Sequence, residues 1–202
     1  MLRVAVTGGI ACGKSLVGSI LRERGYAVCE TDELAHELMK PGEPAYEEIV
    51  KIFGEDILDS AGYIHRGRLG ALVFEKPRCR SRLNGIVHPR VRDEWRSWLR
   101  ERPEETEVAI VIIPLLFEVD AHSGWNAIIC VSAAEETQLA RLKERGLTDD
   151  QARLRIRSQM PNAEKAKRSD YVIYNDGTRE ALRMRTDQVM RQIIEGRNGS
   201  TK

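Results

Sequence analysis

The strongest constraint on this chain lies near its start, where Gly8, Gly9, Ile10, Ala11, Cys12, Gly13, Lys14 and Ser15 fit the pattern GxxxxGK[ST]. The apolar run Arg3 to Val6 precedes it, and Leu16, Val17, Ile20 and Leu21 follow at helical spacing. The pattern therefore stands between a strand and a helix, the setting it requires. Glycine lets the backbone approach a phosphate closely, and successive N–H groups with a helix N-terminus supply donors where negative charge would sit. Gly8, Gly9, Ala11, Cys12, Gly13, Lys14, Ser15 and Leu16 are thus candidate nucleotide contacts. Lys14 is placed to reach the β and γ phosphates. The Ser15 hydroxyl is placed to bind Mg²⁺, an ion that keeps several waters and bridges phosphate oxygens. A thiol at a helix N-terminus can be acidified, but Cys12 is expected to be an inert small residue.

The rest of the chain reads as an α/β sheet. Short apolar runs recur at Arg3 to Val6, Ala27 to Cys29, Val108 to Ile113, Ala127 to Val131 and Tyr171 to Tyr174. They are continuous rather than alternating, as expected of parallel strands buried on both faces. Two strings have the capping-box form, Ser132 to Glu135 and Thr148 to Gln151, so helices are expected to begin at about Ala133 and Asp149. Strands alternating with helices imply right-handed crossovers. The gap between the second and third strands is far longer than one crossover needs. Within it Asp32 to Met39, Pro44 to Phe53 and Pro77 to Arg102 read as helices, with turns at Pro41-Gly42 and Ala61-Gly62. A helical insertion beside the sheet follows. A second excursion, Glu135 to Ala166, is expected to hold two basic helices.

Charge separates these regions. The 202 residues carry a net charge of +1, which argues against binding nucleic acid through gross charge. Yet Glu30 to Asp59 holds ten acidic residues and two lysines, whereas Arg66 to Arg102 holds eleven basic and four acidic. Arg141 to Arg168 holds nine basic and four acidic. Solvated helix faces account for part of this, and a polyanionic ligand accounts for the two basic stretches. Hydrophobic residues at 42% and charged residues at 31% exclude bulk disorder and a membrane bundle. No apolar run reaches the roughly 20 residues of a membrane helix, and the opening residues make a poor signal peptide. Cys12, Cys29, Cys79 and Cys130 form no CxxC pair or zinc spacing. Reduced thiols and a cytoplasmic protein are expected. Asn198-Gly199-Ser200 spells a glycosylation acceptor, read as a chance match in a frayed polar tail.

The loop alone does not choose a reaction, because switches, motors and small kinases share it. A GTPase would need an NKxD motif, and the nearest string, Asn175, Asp176 and Gly177, lacks the lysine. Asp32 follows the second strand, at the sheet edge where α/β proteins gather ligands. There it could take a proton from an attacking hydroxyl, help Ser15 hold Mg²⁺, or simply cap a helix.

Several separated motifs together resemble the dephospho-coenzyme A kinase family over nearly the whole chain. They are Val6 to Ile10 with Gly13, Lys14 and Ser15; Asp32 with Leu34 and Ala35; and Pro41 to Ala45. Leu83-Asn84, His88-Pro89 and Pro114 to Glu118 follow, then Gln138, Leu139, Arg141, Arg145 and Gln159, and last Asp170 to Ile173 with Asn175 and Gly177. Shikimate and adenylate kinases share the loop but not this series. The resemblance implies transfer of the γ-phosphate of ATP, with Mg²⁺, to the ribose 3′-hydroxyl of dephospho-CoA, the last step of CoA synthesis. The implied fold is a P-loop NTPase-type five-stranded parallel sheet flanked by helices, with a helical substrate-binding insertion and a helical lid. Residues 1–31, 105–134 and 167–202 would form the core, 32–104 the CoA-binding insertion and 135–166 the lid. The implied catalytic residues are Lys14, Asp32 as general base, and Arg141 as the lid arginine meeting the transferring phosphoryl group. Asn175 and Gly177 would join Arg141 on the ATP side; Asp32, His88, Pro114, Leu115 and Glu118 would line the acceptor side.

Each assignment has a plainer alternative: a helix-positioning His88, a buried strand end at Pro114 to Glu118, a turn at Asn175 and Gly177. Glu30 and Thr31 stand where the family commonly has an Asp and a small residue, His36 where it has Arg, and Asp176 where it has Asn. The expected partners are ATP and dephospho-CoA, with no nucleic acid and no membrane, in a monomer or weak homo-oligomer. A nucleoside or nucleotide kinase is the other enzyme reading. A nucleotide-dependent switch without transfer is the reading from another class.

Overall fold

The computed structural model describes residues 1–199, as two units: 1–30 with 102–202 as far as described, and 31–101. In the first, β1 (Leu2–Gly8), β2 (Ala27–Glu30), β3 (Val108–Ile112), β4 (Ala127–Ser132) and β5 (Tyr171–Tyr174) form a parallel sheet in the order β2-β3-β1-β4-β5. Every residue of β3 is buried, and β1 and β4 are buried but for one position each. That two-sided burial is why their sequences are continuously apolar. The central strand β1 pairs with both β3 and β4, with Val4 opposite Ile110 on one side and Ala127 on the other.

α1 (Lys14–Glu23) follows β1 and packs Val17, Ile20 and Leu21 into the core that Leu182, Val189, Met190 and Ile193 of α9 (Arg179–Gly199) share. Three helices separate β4 from β5, not the expected two: α6 (Glu135–Glu144), α7 (Asp149–Arg157) and α8 (Asn162–Lys167). The helix α8 is short, with Lys165 and Lys167 within it and Arg168 after it, so no apolar period announces it.

The two capping boxes diverge. At Thr148 both reciprocal bonds form, with Gln151 N–H donating to Thr148 Oγ1 and Thr148 N–H to Gln151 Oε1. At Ser132 neither does: α6 starts two residues later than expected, at Glu135, because Ser132 still belongs to β4. Asp176, from beyond β5, takes over the cap by accepting from Ala134 N–H at 2.8 Å and Thr137 Oγ1 at 2.9 Å.

The second unit is helical: α2 (Thr31–Leu38), α3 (Pro44–Phe53), α4 (Arg66–Glu75) and α5 (Pro77–Arg100), with a 3₁₀ turn at Glu55–Ile57. The expected turns occur, Gly42 at φ 92° and Gly62 at φ 82°. Between them Asp59 Oδ1 accepts from Ala61 and Tyr63 N–H, closing a small hairpin joined at Leu58 and Ile64. α4 escaped the sequence because Gly67 and Gly70 lower its propensity and its cap is His65, whose Nδ1 accepts from Arg68 N–H.

All four cysteines are free thiols. No helix among the described residues is long and apolar enough to cross a membrane. The Asn198-Gly199-Ser200 acceptor ends outside the described residues; α9 runs to Gly199.

Candidate functional site

The glycine-rich loop joins β1 to α1 in the middle of the sheet, and its shape depends on two glycines. A Cβ on Gly8 would lie 2.1 Å from Val131 O, and one on Gly13 2.1 Å from Asn175 Nδ2; both residues have positive φ. Nothing larger than hydrogen fits.

Most polar backbone groups in the first half of the loop have protein partners. Gly9 N–H donates to Asn162 Oδ1 at 3.0 Å and Ile10 N–H to Gln159 Oε1 at 3.0 Å. Lys14 Nζ donates to Gly8 O at 3.0 Å and Gly9 O at 2.9 Å. Ala11 O accepts from Arg141 Nη1 at 3.0 Å, and Cys12 O from Asn175 Nδ2 at 2.8 Å. The donors of the second half differ. Among the described residues no hydrogen bond engages the N–H groups of Ala11, Gly13, Ser15 or Leu16. Buried or not, backbone donors need acceptors, and these sit at a helix N-terminus where an anion is favoured.

Cys12 is fully buried beneath the loop, its Sγ accepting from Gln138 Nε2 at 2.9 Å. Burial pushes its pKa up, against the opposing pull of Lys14, so the thiol is held protonated as an inert residue rather than acidified by the helix. The neighbouring Cys130 is pushed up to about 12 by burial, then by Cys12.

Two of the residues expected on the ATP side, Arg141 and Asn175, hydrogen-bond the loop. Arg141, expected at the phosphoryl group, gives Nη1 to Ala11 O and Nη2 to Asn175 O at 2.8 Å. Asn175, expected beside adenine, is 4% exposed with its amide turned under the loop. Gly177 lies exposed before α9. At the end of β3, Pro114 O accepts from Thr7 Oγ1 and, at 2.7 Å, from Lys165 Nζ. Lys165 also pairs with Glu118 at 2.8 Å, and Glu118 accepts from Met160 N–H. Leu115 between them is half-buried. Asp32 is the second residue of α2, exposed, and His88 is half-buried on α5; both belong to the helical unit. Burial, then the charge of Arg92, lowers the His88 pKa.

Sequence reasoning missed Asn162 and Lys165 and assigned no role to Gln138 or Gln159. Lys165 was hidden in a basic stretch that reads as a solvated face, yet it is fully buried. The departure at Glu30 is compensated within the chain. Its carboxylate reaches Arg22 Nη1 at 2.7 Å, passing over Gly18, where a Cβ would lie 3.0 Å from Glu30 Oε1.

Ser15 is exposed at the start of α1, a single neutral oxygen suited to an ion that takes its other ligands from phosphate and water. No cluster of three or more His, Cys, Asp or Glu able to hold a metal occurs among the described residues.

A family profile described as dephospho-CoA kinase matches residues 2–181. A dephospho-CoA kinase of Geobacillus kaustophilus is 43% identical over 196 residues, spanning 95% of this chain and 96% of the relative. That of Corynebacterium efficiens is 36% identical over 96% of this chain and 98% of its own length. Among solved structures, TT1252 from Thermus thermophilus superposes with a TM-score of 0.79 at 32% identity, covering 95% of this chain and 97% of that one. Dephospho-CoA kinase from Campylobacter jejuni gives 0.69 at 27% identity, over 96% and 98%.

Proposed function

The chain belongs to the dephospho-CoA kinase family, and we propose that it transfers the γ-phosphate of ATP to the ribose 3′-hydroxyl of dephospho-CoA, releasing coenzyme A and ADP. The observation that carries the ATP half is the row of N–H donors at Ala11, Gly13, Ser15 and Leu16 left open by an otherwise satisfied loop. They face the demand of a polyphosphate for several fixed donors. Lys14 would exchange the carbonyls of Gly8 and Gly9 for phosphate oxygens, and Mg²⁺ would arrive with ATP and take the Ser15 hydroxyl, with Asp32 as a second candidate ligand.

Asp32 is the proposed general base. As an exposed carboxylate at the start of α2 it can accept the proton of the attacking hydroxyl as the new P–O bond forms. Arg141 would stabilise the transferring phosphoryl group by releasing Ala11 O and Asn175 O, while Asn175 keeps the loop in shape and Gly177 lets the following turn pass the adenine side. His88, Pro114, Leu115 and Glu118 are the proposed acceptor-side residues, and Glu118 would meet the acceptor as a carboxylate already paired with Lys165. Residues 135–166 are the proposed lid; with Asn162 and Lys165 anchored to the strand ends, its closure, which would exclude water from a reaction in which hydrolysis competes, would fall to the part before Gln159. Residues 32–104 are the proposed CoA-binding insertion. A cytoplasmic location and a monomer or weak homo-oligomer complete the reading.

The test is ADP release from Mg²⁺-ATP with and without dephospho-CoA, with the product weighed for one added phosphate. A product of that mass supports the reading. ATP binding without stimulation by dephospho-CoA, but with stimulation by a nucleoside in an acceptor panel, would replace it with the other kinase class.

A further inference from the structure

We propose that Gln159 and Asn162, at the junction of α7 and α8, are positioning residues that clamp the first half of the phosphate loop so that its second half presents N–H donors to ATP. The inference rests on the nucleotide reading above and concerns residues that touch no reacting atom.

The geometry is reciprocal. Two side-chain carbonyls, Gln159 Oε1 and Asn162 Oδ1, accept from the adjacent N–H groups of Ile10 and Gly9, each at 3.0 Å. Adjacent peptide N–H groups without acceptors would compete to bind solvent or phosphate, and the loop could settle in more than one shape. Ala11 already sits at φ 58°, a conformation that a non-glycine residue adopts only when its surroundings impose it. The clamp supplies that imposition from one side; from the other Asn175 supplies it, together with Arg141 until that side chain turns to the phosphoryl group.

The clamp is itself held rigid. Asn162 Nδ2 donates to Ser132 Oγ at 2.9 Å, at the end of β4. Three residues on, the buried Lys165 ties α8 to Pro114 O at the end of β3. Thus α8 is pinned to two strands, and Asn162 at its start cannot drift from Gly9. Gln159 and Asn162 both line a cavity of about 970 Å³ with Gly9, Ile10 and Met160, but the half-buried Gln159 has, among the described residues, no second side-chain hydrogen bond. With that single bond to Ile10 N–H, its removal is expected to leave the fold intact and to expose the effect on the loop.

Amide exchange of the full chain, followed residue by residue by NMR and corrected for intrinsic rates, tests the clamp without any substitution. Without nucleotide, Gly9 and Ile10 are expected to exchange about fivefold or more slowly than Ala11 and Gly13, the scale of one net hydrogen bond. ADP is then expected to slow Ala11 and Gly13. Equal exchange at all four positions without ADP would overturn the clamp. Failure of ADP to slow Ala11 and Gly13 would overturn the nucleotide reading instead, and the two failures are read at different residues. In Gln159→Leu, ADP is expected to bind about fivefold more weakly while adenosine, which lacks phosphate, binds as before. Equal weakening of ADP and adenosine would mark a general loosening and refute a positioning role.

Discussion

The two units of this chain bury their apolar residues in different ways. In the sheet unit β1, β3 and β4 are packed on both faces, so nearly every side chain along them is spent on the core. In the helical unit burial is a stripe. Along α5 it falls on Ile86, Val87, Val91, Trp95 and Leu99, and α3 contributes Ala45 and Ile49. A sheet of this kind offers chemistry only where its strands end, and there the backbone itself becomes the binding group. A striped helical unit leaves most of its side chains facing outward, suited to a large polar acceptor. If the helical unit holds the acceptor as proposed, nucleotide binding depends on backbone geometry and acceptor binding on side chains.

Variants can break that division. The largest effect is expected for Arg141→Ala: if Arg141 meets the phosphoryl group as proposed, its loss lowers kcat by about 10³-fold or more. Steady-state kinetics decide: a rise in the KM for ATP with kcat retained would leave Arg141 only its bonds to Ala11 O and Asn175 O. Asp32→Asn, in the helical unit, is expected to lower kcat by about 10² to 10⁴ while ATP affinity holds. Weakened ATP binding in that variant would erase the contrast between the units.

A smaller effect concerns stability. Lys165→Met removes the buried partner of an ion pair, leaving Pro114 O with Thr7 Oγ1 and Glu118 with Met160 N–H as their remaining donors. A loss of about 3 kcal/mol in chemical denaturation is expected, since Glu118 keeps some access to water. An unchanged midpoint would show that α8 is held by packing alone.

The smallest effect sharpens the helical side. Burial lowers the His88 pKa, so the folded protein binds the proton less readily than the unfolded chain. His88 therefore favours the fold above the ordinary imidazole pKa of about 6.5, and stability falls as pH drops through the lower, folded value. NMR titration of His88 should give a midpoint below that of a free imidazole, and His88→Gln should flatten the acid side of the stability profile. A midpoint at or above the free value would place His88 in solvent or beside an anion.

Much of the sheet unit could be read directly. The strand Tyr171–Tyr174 was found to the residue, and the others to within two, because two-sided burial writes itself as an unbroken apolar run. Pro44–Phe53 was equally clear, opened by a proline at its first turn and closed by Gly54. Other features turned on contacts that no local string encodes. Ser132 and Thr148 carry the same motif, yet only Thr148 caps a helix, because pairing with β5 keeps Ser132 in its strand. Arg141 and Asn175 are expected from the sequence as ligand contacts, and what no local string encodes is that Arg141 also bonds Ala11 O and Asn175 O, and Asn175 also bonds Cys12 O.

What the sequence determined by itself is the nucleotide loop, its placement between strand and helix, the parallel α/β class and the family. The loop, its placement and the class follow from local spacing and from apolar periods, which act over a few residues at a time; the family follows from the resemblance of separated motifs to a known series. The strand order β2-β3-β1-β4-β5, the transfer of the α6 cap to Asp176, the burial of Lys165 and the clamp of Gly9 and Ile10 by Asn162 and Gln159 were decided only by the tertiary structure. Each joins residues distant in the chain. A polar side chain looks the same in a sequence whether water or a buried backbone group will satisfy it, and only the folded packing makes that choice.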